Sequence, residues 1–236
     1  LLIGHRGALE AAPENTFPAF EAGLAGGADM LELDVQFTAD RQVIVFHDTH
    51  LAAKVGLPGM IGDYSAEFLR TLDVGGGFDA RFAGTTMPLL DEVLTWANGR
   101  VPLLIELKQG PVFSPELDQA VVELIMDHKM VEEIVLMGFD QVSLQRVKRL
   151  NPRIATSFIF SGRLLNPLSI IDGFDVNALS PRTDLLTREE VDIIHAAGYA
   201  CSPGGFWWDY RTLVAWGVDT ISSNNPASLH WSEIMN

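Results

Sequence analysis

The sequence is poor in cysteine, in long apolar runs and in basic residues. Its 236 residues include a single cysteine, Cys201, so an intramolecular disulfide is excluded and the compartment is left undecided. No stretch reaches the roughly 18 consecutive apolar residues of a membrane-spanning helix. We therefore expect no stable membrane insertion.

Acidic residues outnumber basic ones, 31 Asp and Glu against 16 Lys and Arg, for a formal net charge of −15. Nucleic acids and anionic membrane surfaces attract cationic proteins, so we expect neither as a bulk partner. A small anionic substrate held by a metal and by local cations remains compatible with this charge. The sequence does not indicate the oligomeric state. We expect a cytoplasmic protein, and a secreted or periplasmic one stays open because a trimmed N-terminus would hide a leader segment.

What the sequence does contain is an apolar run of strand length, Met30–Val35, with carboxylates at Glu32 and Asp34. Side chains at positions i and i+2 leave a strand on the same face, so the two carboxylates point together. Burying neighbouring carboxylates is unfavourable unless a cation or hydrogen-bond donors compensate their charge. This stretch therefore predicts a metal site.

Strand-like and helical patterns alternate along the chain. Residues 1–4 predict a strand, a helix follows, and the strand through Asp34 completes a βαβ unit, which requires a parallel sheet. The next connection, 38–42, is too short for a helical crossover, so 43–46 is predicted to return antiparallel as a hairpin. Without the hairpin about eight strands remain, which is the number in a (β/α)8 TIM barrel, an α/β fold.

We expect a single TIM-barrel domain over residues 1–236. The segment from about 49 to 87 is rich in glycine and irregular in pattern. It is predicted to be a small insertion after the second barrel strand that covers the barrel mouth. A later barrel strand is expected at 176–179.

Functional residues of such barrels collect at the C-terminal ends of the strands. Glu106 stands at one predicted end, so with Glu32 and Asp34 it makes three carboxylates from two strands. Carboxylate oxygens without cysteine suit a hard divalent ion, Mg2+ or Ca2+, rather than zinc. The alternative interpretation is that Glu106 only forms a structural ion pair with Lys108, two residues further on.

The same predicted rim carries histidines and cations. His5 and His47 supply groups that gain and lose a proton near neutral pH. Arg6 and Lys108 supply hydrogen-bond donors that suit a phosphate. A hard cation, an acid/base pair and a phosphate clamp together indicate phosphoryl transfer or phosphodiester cleavage.

Five short motifs stand in the first half of the chain. They are Gly4-His5-Arg6-Gly7, Pro13-Glu14-Asn15-Thr16, Glu32-Leu33-Asp34-Val35, His47-Asp48 and Ile105-Glu106-Leu107-Lys108. In their order and spacing the chain resembles the glycerophosphodiester phosphodiesterase family. The resemblance implies a (β/α)8 barrel with an insertion after the second strand, in agreement with the pattern of the elements.

The resemblance also implies a reaction and a set of site residues. The implied reaction hydrolyses glycerophosphodiesters such as glycerophosphocholine or glycerophosphoethanolamine to glycerol 3-phosphate and an alcohol. The implied divalent-metal ligands are Glu32, Asp34 and Glu106, the implied general acid and base are His5 and His47, and the implied phosphate-binding residues are Arg6 and Lys108.

The chain departs from the family pattern at three places. Ser-Pro-Gly-Gly at 202–205 occupies the place where members often carry Trp-Thr-Val-Asn. Asn224 is found where an Asp is usual, and Lys54 where an Arg is common. We expect all three to lie at the substrate-binding rim rather than among the catalytic residues. Phe206 and Trp207 are candidates to replace the lost aromatic wall of the substrate site, and a place in the core is the equal alternative.

Two other functions stay open. Lysophospholipase D-type cleavage of larger lipid phosphodiesters would use the aromatic stretch 206–208 to accept an acyl chain. A non-catalytic ligand-binding barrel would keep the scaffold, but it predicts decay of the acid/base pair, and both histidines are present here.

Overall fold

A computed structural model describes residues 1–110, 113–205 and 209–229 of the chain. None of the helices in these ranges has the length and apolarity needed to cross a bilayer. The strands are β1 (Leu2–Gly4), β2 (Met30–Phe37), β3 (Val43–Val45), β4 (Leu103–Leu107), β5 (Ile134–Gly138), β6 (Ala155–Phe160), β7 (Ala178–Pro181), β8 (Ala200–Cys201) and β9 (Ile221–Ser223). The helices are α1 (Phe17–Ala25), α2 (Ala52–Val55), α3 (Ala66–Leu69), α4 (Leu90–Ala97), α5 (Leu117–Asp127), α6 (Gln141–Leu150), α7 (Arg188–Ala196) and α8 (Tyr210–Trp216).

Eight of the described strands run parallel, in the order β8-β7-β6-β5-β4-β2-β1-β9. The two end strands of this order also meet. The N–H of Asp219, just before β9, donates to the carbonyl of Cys201 in β8 at 2.9 Å, and the Cys201 N–H donates back to Asp219 Oδ2 at 2.7 Å. The sheet thus closes on itself, and the predicted (β/α)8 TIM-barrel fold is confirmed.

The predicted hairpin is also confirmed. β3 pairs antiparallel with β2, with Val45 opposite Val35 and Val43 opposite Phe37. The turn is tight, because the Thr38 N–H donates to the Gln42 carbonyl at 3.0 Å. β3 therefore lies outside the barrel order and brings the chain back beside the C-terminal end of β2.

The connection between β6 and β7 differs from the regular βα alternation. Instead of an α-helix it contains a 3-10 helix, Pro167–Ile171, which begins after the capping side chain of Asn166. Gly173, with a φ of 73°, ends this segment two residues later. The strand expected at 176–179 forms two residues further along, as β7.

Alternate residues of β2 face two different environments. Leu31, Leu33 and Val35 are fully buried in the apolar core that the sheet forms with the surrounding helices. Glu32 and Asp34 lie on the other face, toward the barrel interior. A separate group of apolar side chains fills that interior next to them. Its buried members are Ile3, Leu104 and Met137.

The segment 49–87 contains α2 and α3 and packs into an apolar cluster of its own. Lys54 of this segment lies 3.1 Å from Glu14 in the loop after β1, and the Thr49 hydroxyl lies 3.4 Å from the Gly110 carbonyl after β4. These contacts join the segment to two loops at the C-terminal ends of barrel strands. Its covering of the mouth, and the single-domain organisation, stay predictions. The buried members of the cluster are Ile44, Phe46, Leu51, Ile61, Leu69 and Met87.

The closure between β8 and β9 gives a testable expectation for stability. Asp219→Ala leaves the buried N–H of Cys201 without its acceptor, so we expect the free energy of unfolding to fall by about 1–3 kcal/mol. Urea denaturation measures this change. His195→Ala is the matched control, because it removes only the half-exposed ion pair to Asp219 (2.9 Å) and should cost at most about 1 kcal/mol. Equal losses in the two variants would contradict this account of the closure.

Candidate active site

The turn after β1 directs two functional side chains into the barrel mouth. Arg6 and Gly7 both have a positive φ, 49° and 86°. A Cβ at Gly7 would lie 2.5 Å from the carbonyl carbon of Ala19 in α1, so only glycine fits at this close approach. The turn therefore packs against α1, and His5 and Arg6 line the cavity at the mouth.

The three predicted metal ligands come together at this mouth. Glu32, Asp34 and Glu106 each place one carboxylate oxygen within 4.8 Å of the other two. The register between β2 and β4 sets Asp34 directly beside Glu106. All three residues are buried, and none of the three donors is sulfur or imidazole. This donor set fits a hard divalent cation.

The charges of the cluster are only partly compensated by protein groups. Burial raises the pKa of Glu32 well above its usual range, and the charges of Asp34 and Glu106 add to the effect. Burial likewise raises the pKa of Glu106, although Lys108 opposes it. Burial would also raise the pKa of Asp34, but Lys108 and Arg6 outweigh it and lower the value. Three carboxylates thus face two cations, which is a further reason why the site fits a divalent ion.

The two predicted phosphate-binding cations lie directly against the cluster. Lys108 Nζ is 2.6 Å from Glu106 and 2.9 Å from Asp34, so it bridges two predicted ligands rather than forming one isolated pair. Arg6 Nε makes a 3.5 Å ion pair with Asp34 but no hydrogen bond, although the atom is buried. Burial opposes both positive charges, but the carboxylates outweigh it and raise the pKa of both groups. An anionic phosphate oxygen would satisfy the Arg6 Nε–H.

His5 is held by a neutral partner. Its Nδ1 lies 2.8 Å from Asn224 Oδ1, and because an amide oxygen only accepts, the proton of the neutral ring sits on Nδ1. The other nitrogen, Nε2, is 3.9 Å from Glu32 Oε2. Burial and the charge of Arg6 lower the pKa of His5 to about 4. Near neutral pH the ring is therefore uncharged and Nε2 carries a lone pair.

His47 has a different partner. Its Nδ1 lies 2.7 Å from the carboxylate of Asp48. The carboxylate of Asp48 accepts a hydrogen bond from the imidazole of His47, whereas His5 is held by an amide oxygen. The N–H of Phe46 donates to the Asp34 carbonyl at 2.9 Å, which places the segment with His47 beside the carboxylate cluster. The two histidines thus have chemically different surroundings.

A cavity of about 420 Å3 opens between the carboxylate cluster and the far side of the barrel. His5, Arg6, Glu32 and Glu106 line one side of it. The unusual stretch 202–205 lines the other side, and its place at a substrate-binding rim stays a prediction. Phe206 and Trp207 lie outside the described residues. The far wall further contains Ile159, Ser161, Ser180, Pro181, Arg182 and Ser222.

The expectation for a second departure was wrong. Asn224 was predicted to lie at the substrate rim, but its side chain contacts His5 directly. The reason is the parallel pairing of β9 with β1, which sets the loop after β9 beside the loop after β1. Lys54, the third departure, lies against Glu14, whose carboxylate also binds Arg6 at 3.2 Å.

Asn15 was not singled out by its residue type, yet it holds one of the predicted ligands. It is buried, with a φ of 58°, a conformation that asparagine tolerates better than most residues. Its Nδ2 donates to Asp34 Oδ2 at 2.8 Å, and its Oδ1 accepts from the Asp34 N–H at 3.2 Å. Its place in the Pro13–Thr16 motif was the only signal available in the sequence.

Fold and site together define a class of protein. It is a (β/α)8 barrel whose mouth carries a three-carboxylate site for a hard divalent ion, with two histidines and two cations beside it. The model of the glycerophosphoryl diester phosphodiesterase family matches residues 5–228, and the chain belongs to this family.

Individual relatives agree in sequence and in structure. A glycerophosphodiester phosphodiesterase from Caldanaerobacter subterraneus is 29% identical over 235 residues, which cover 97% of this chain and 96% of the relative. A phosphodiesterase from Oleispira antarctica, solved in complex with the product sn-glycerol-3-phosphate, has a TM-score of 0.90 and 26% identity, covering 100% of this chain and 96% of that one. A lysophospholipase D from Rattus norvegicus is 36% identical over 142 residues, 58% of this chain and 44% of the relative.

The raised pKa of Glu32 predicts a change in stability. Because the folded-state pKa lies above the unfolded value of about 4.3, the metal-free protein loses stability as pH rises through that window. In the parent, the backbone N–H of Arg6 donates to Glu32 Oε2 at 2.7 Å. Glu32→Gln removes the charge and keeps an oxygen that accepts this hydrogen bond. We expect the variant to melt at a higher temperature than the parent in chelator at pH 8, and to gain less from Mg2+ or Ca2+.

Thermal unfolding with chelator and with each metal, at pH 5 and pH 8, measures both effects. Glu123→Gln, on the exposed face of α5, is the control and should change neither. A Glu32→Gln protein that melts below the parent in chelator at pH 8 would contradict the raised pKa of Glu32.

Proposed function

We propose that the chain hydrolyses glycerophosphodiesters to glycerol 3-phosphate and an alcohol, with a divalent metal, Mg2+ or Ca2+, as cofactor. The observation that carries the proposal is the buried cluster of Glu32, Asp34 and Glu106 beside His5 and two cations at one barrel mouth. Membership of the family, and a neighbour solved with sn-glycerol-3-phosphate, support it.

Substrate binding follows from the charges of the mouth. Arg6 and Lys108 remain cationic in the folded protein and donate to the phosphate oxygens. Glu32, Asp34 and Glu106 are the residues that hold the metal. When bound, a hard divalent cation supplies Lewis-acid polarisation of the phosphoryl group. The rest of the diester occupies the cavity lined by 202–205.

The two histidines divide the proton transfers. His5, neutral and lining the cavity, accepts the proton of the nucleophile as general base. His47, paired with Asp48, donates a proton to the departing alkoxide as general acid.

The nucleophile is either water or a hydroxyl of the substrate's glycerol, which would form a cyclic phosphodiester first. Phosphorus NMR of an early time point distinguishes the two, because only the second shows the cyclic product.

Alanine substitution tests the acid/base pair. Loss of either ring removes a proton transfer, so His5→Ala and His47→Ala should each lower kcat on glycerophosphocholine about a hundredfold or more. The control His195→Ala, on α7, should retain the parent rate. Near-full turnover by either variant would contradict the assignment.

The division of roles has its own test. A p-nitrophenyl phosphodiester releases a stable anion and needs no proton on its leaving group. His47→Ala should therefore keep much of its activity on this substrate, while His5→Ala stays impaired. The reverse pattern would exchange the two roles.

A second candidate function is lysophospholipase D-type cleavage. The similarity to the rat lysophospholipase D over part of the chain favours it. Choline release from glycerophosphocholine and from lysophosphatidylcholine, measured in parallel with each metal, separates the two substrates. We expect the smaller diester to be cleaved with the higher kcat/KM.

Tight binding of either diester without metal-dependent hydrolysis would instead support a non-catalytic ligand-binding barrel.

A further inference from the structure

Gln36 continues the pattern that first pointed to the site. It follows Glu32 and Asp34 at the next alternate position of β2, so the three side chains share the inward face of one strand. Gln36 is buried, with 7% of its surface exposed, although its side chain is polar. It has neither a carboxylate nor a charge, so it is not a member of the carboxylate cluster.

The amide nitrogen of the Gln36 side chain is engaged with one short segment. Its Nε2 donates to the carbonyl oxygens of Phe46 at 2.8 Å, His47 at 3.2 Å and Asp48 at 3.0 Å. An amide nitrogen has two hydrogens, so three consecutive acceptors share two donors. One side chain therefore holds the backbone of the whole segment that carries His47.

This contact begins where regular pairing ends. The last backbone hydrogen bond between the hairpin strands joins the Phe46 N–H to the Asp34 carbonyl at 2.9 Å. β3 itself ends at Val45, and His47 and Asp48 lie outside any strand. Buried carbonyls require donors, and at these positions Gln36 supplies them in place of a neighbouring strand.

We propose that Gln36 is a positioning residue for His47 and fixes the backbone from which the imidazole reaches the substrate. Asp48 orients the ring, while Gln36 holds the main chain of both residues. The inference rests on the proposed function, since it takes His47 as the proton donor to the leaving group. A proton donor must stay within hydrogen-bond reach, and a misplacement of about 1 Å can cost roughly a hundredfold in rate.

Two substitutions remove the contact in different ways. Gln36→Leu keeps the size of the side chain without its donors, and Gln36→Asn keeps the amide but shortens its reach by one methylene. We expect kcat on glycerophosphocholine to fall about tenfold to a hundredfold in both, with KM and the calorimetric affinity for Mg2+ unchanged. Gln42→Leu, the same exchange at an exposed position next to β3, is the matched control and should keep the parent kcat.

A double-mutant cycle separates positioning from general support of the fold. If Gln36 acts through His47, Gln36→Leu causes no further loss of rate in a His47→Ala background. Equal losses in both backgrounds, or a lower Tm with an unchanged kcat, would overturn the proposal. If Gln36→Leu does not fold, Gln36→Asn is carried through the same cycle.

The outcomes also separate this inference from the proposed function. If the parent protein hydrolyses no glycerophosphodiester with any metal, the proposed function fails and the role of Gln36 falls with it. If the parent is active and both Gln36 variants keep its kcat, only the inference about Gln36 fails.

Discussion

The mouth of this barrel depends on three carboxylates that are buried side by side. Glu32, Asp34 and Glu106 lie within 4.8 Å of one another with almost no access to water. Lys108 and Arg6 compensate part of the charge, enough to lower the pKa of Asp34 but not those of Glu32 and Glu106. The protein therefore keeps an uncompensated negative site in its interior. A fold retains such a cost when a bound cation offsets it, which is why the cluster indicates function rather than stability.

The chemistry around the cluster depends on uncharged amides as much as on charges. Asn224 gives His5 a neutral partner, Asn15 holds Asp34 through two hydrogen bonds, and Gln36 holds the segment of His47. A carboxylate in place of Asn224 would favour the protonated form of His5. The departure of this chain from the family pattern at that position therefore bears on the protonation state of His5, not only on the choice of leaving group.

Several elements followed from local pattern, and others did not. The short 38–42 connection could only be a hairpin, and the spacing of Glu32 and Asp34 could only place them on one strand face. The 3-10 helix at Pro167–Ile171 escaped prediction because five residues between a proline and a glycine carry too little periodicity. Gln36 escaped attention because an uncharged amide on a strand carries no sign of what it will contact.

What the sequence by itself determined was the fold class and the three carboxylates of the cluster, because strand alternation and the order of βα units act over short distances along the chain. The register between β2 and β4, which sets Asp34 beside Glu106, belongs to the sheet and not to either strand. Only the tertiary structure decided the partner of His5, whereas His47 meets the residue that follows it in the chain, Asp48. Asn224 meets His5 from 219 residues away because the last strand, β9, pairs with the first, β1, and sets Ser223 opposite Gly4. No local pattern encodes that pairing, since it joins the two ends of the chain.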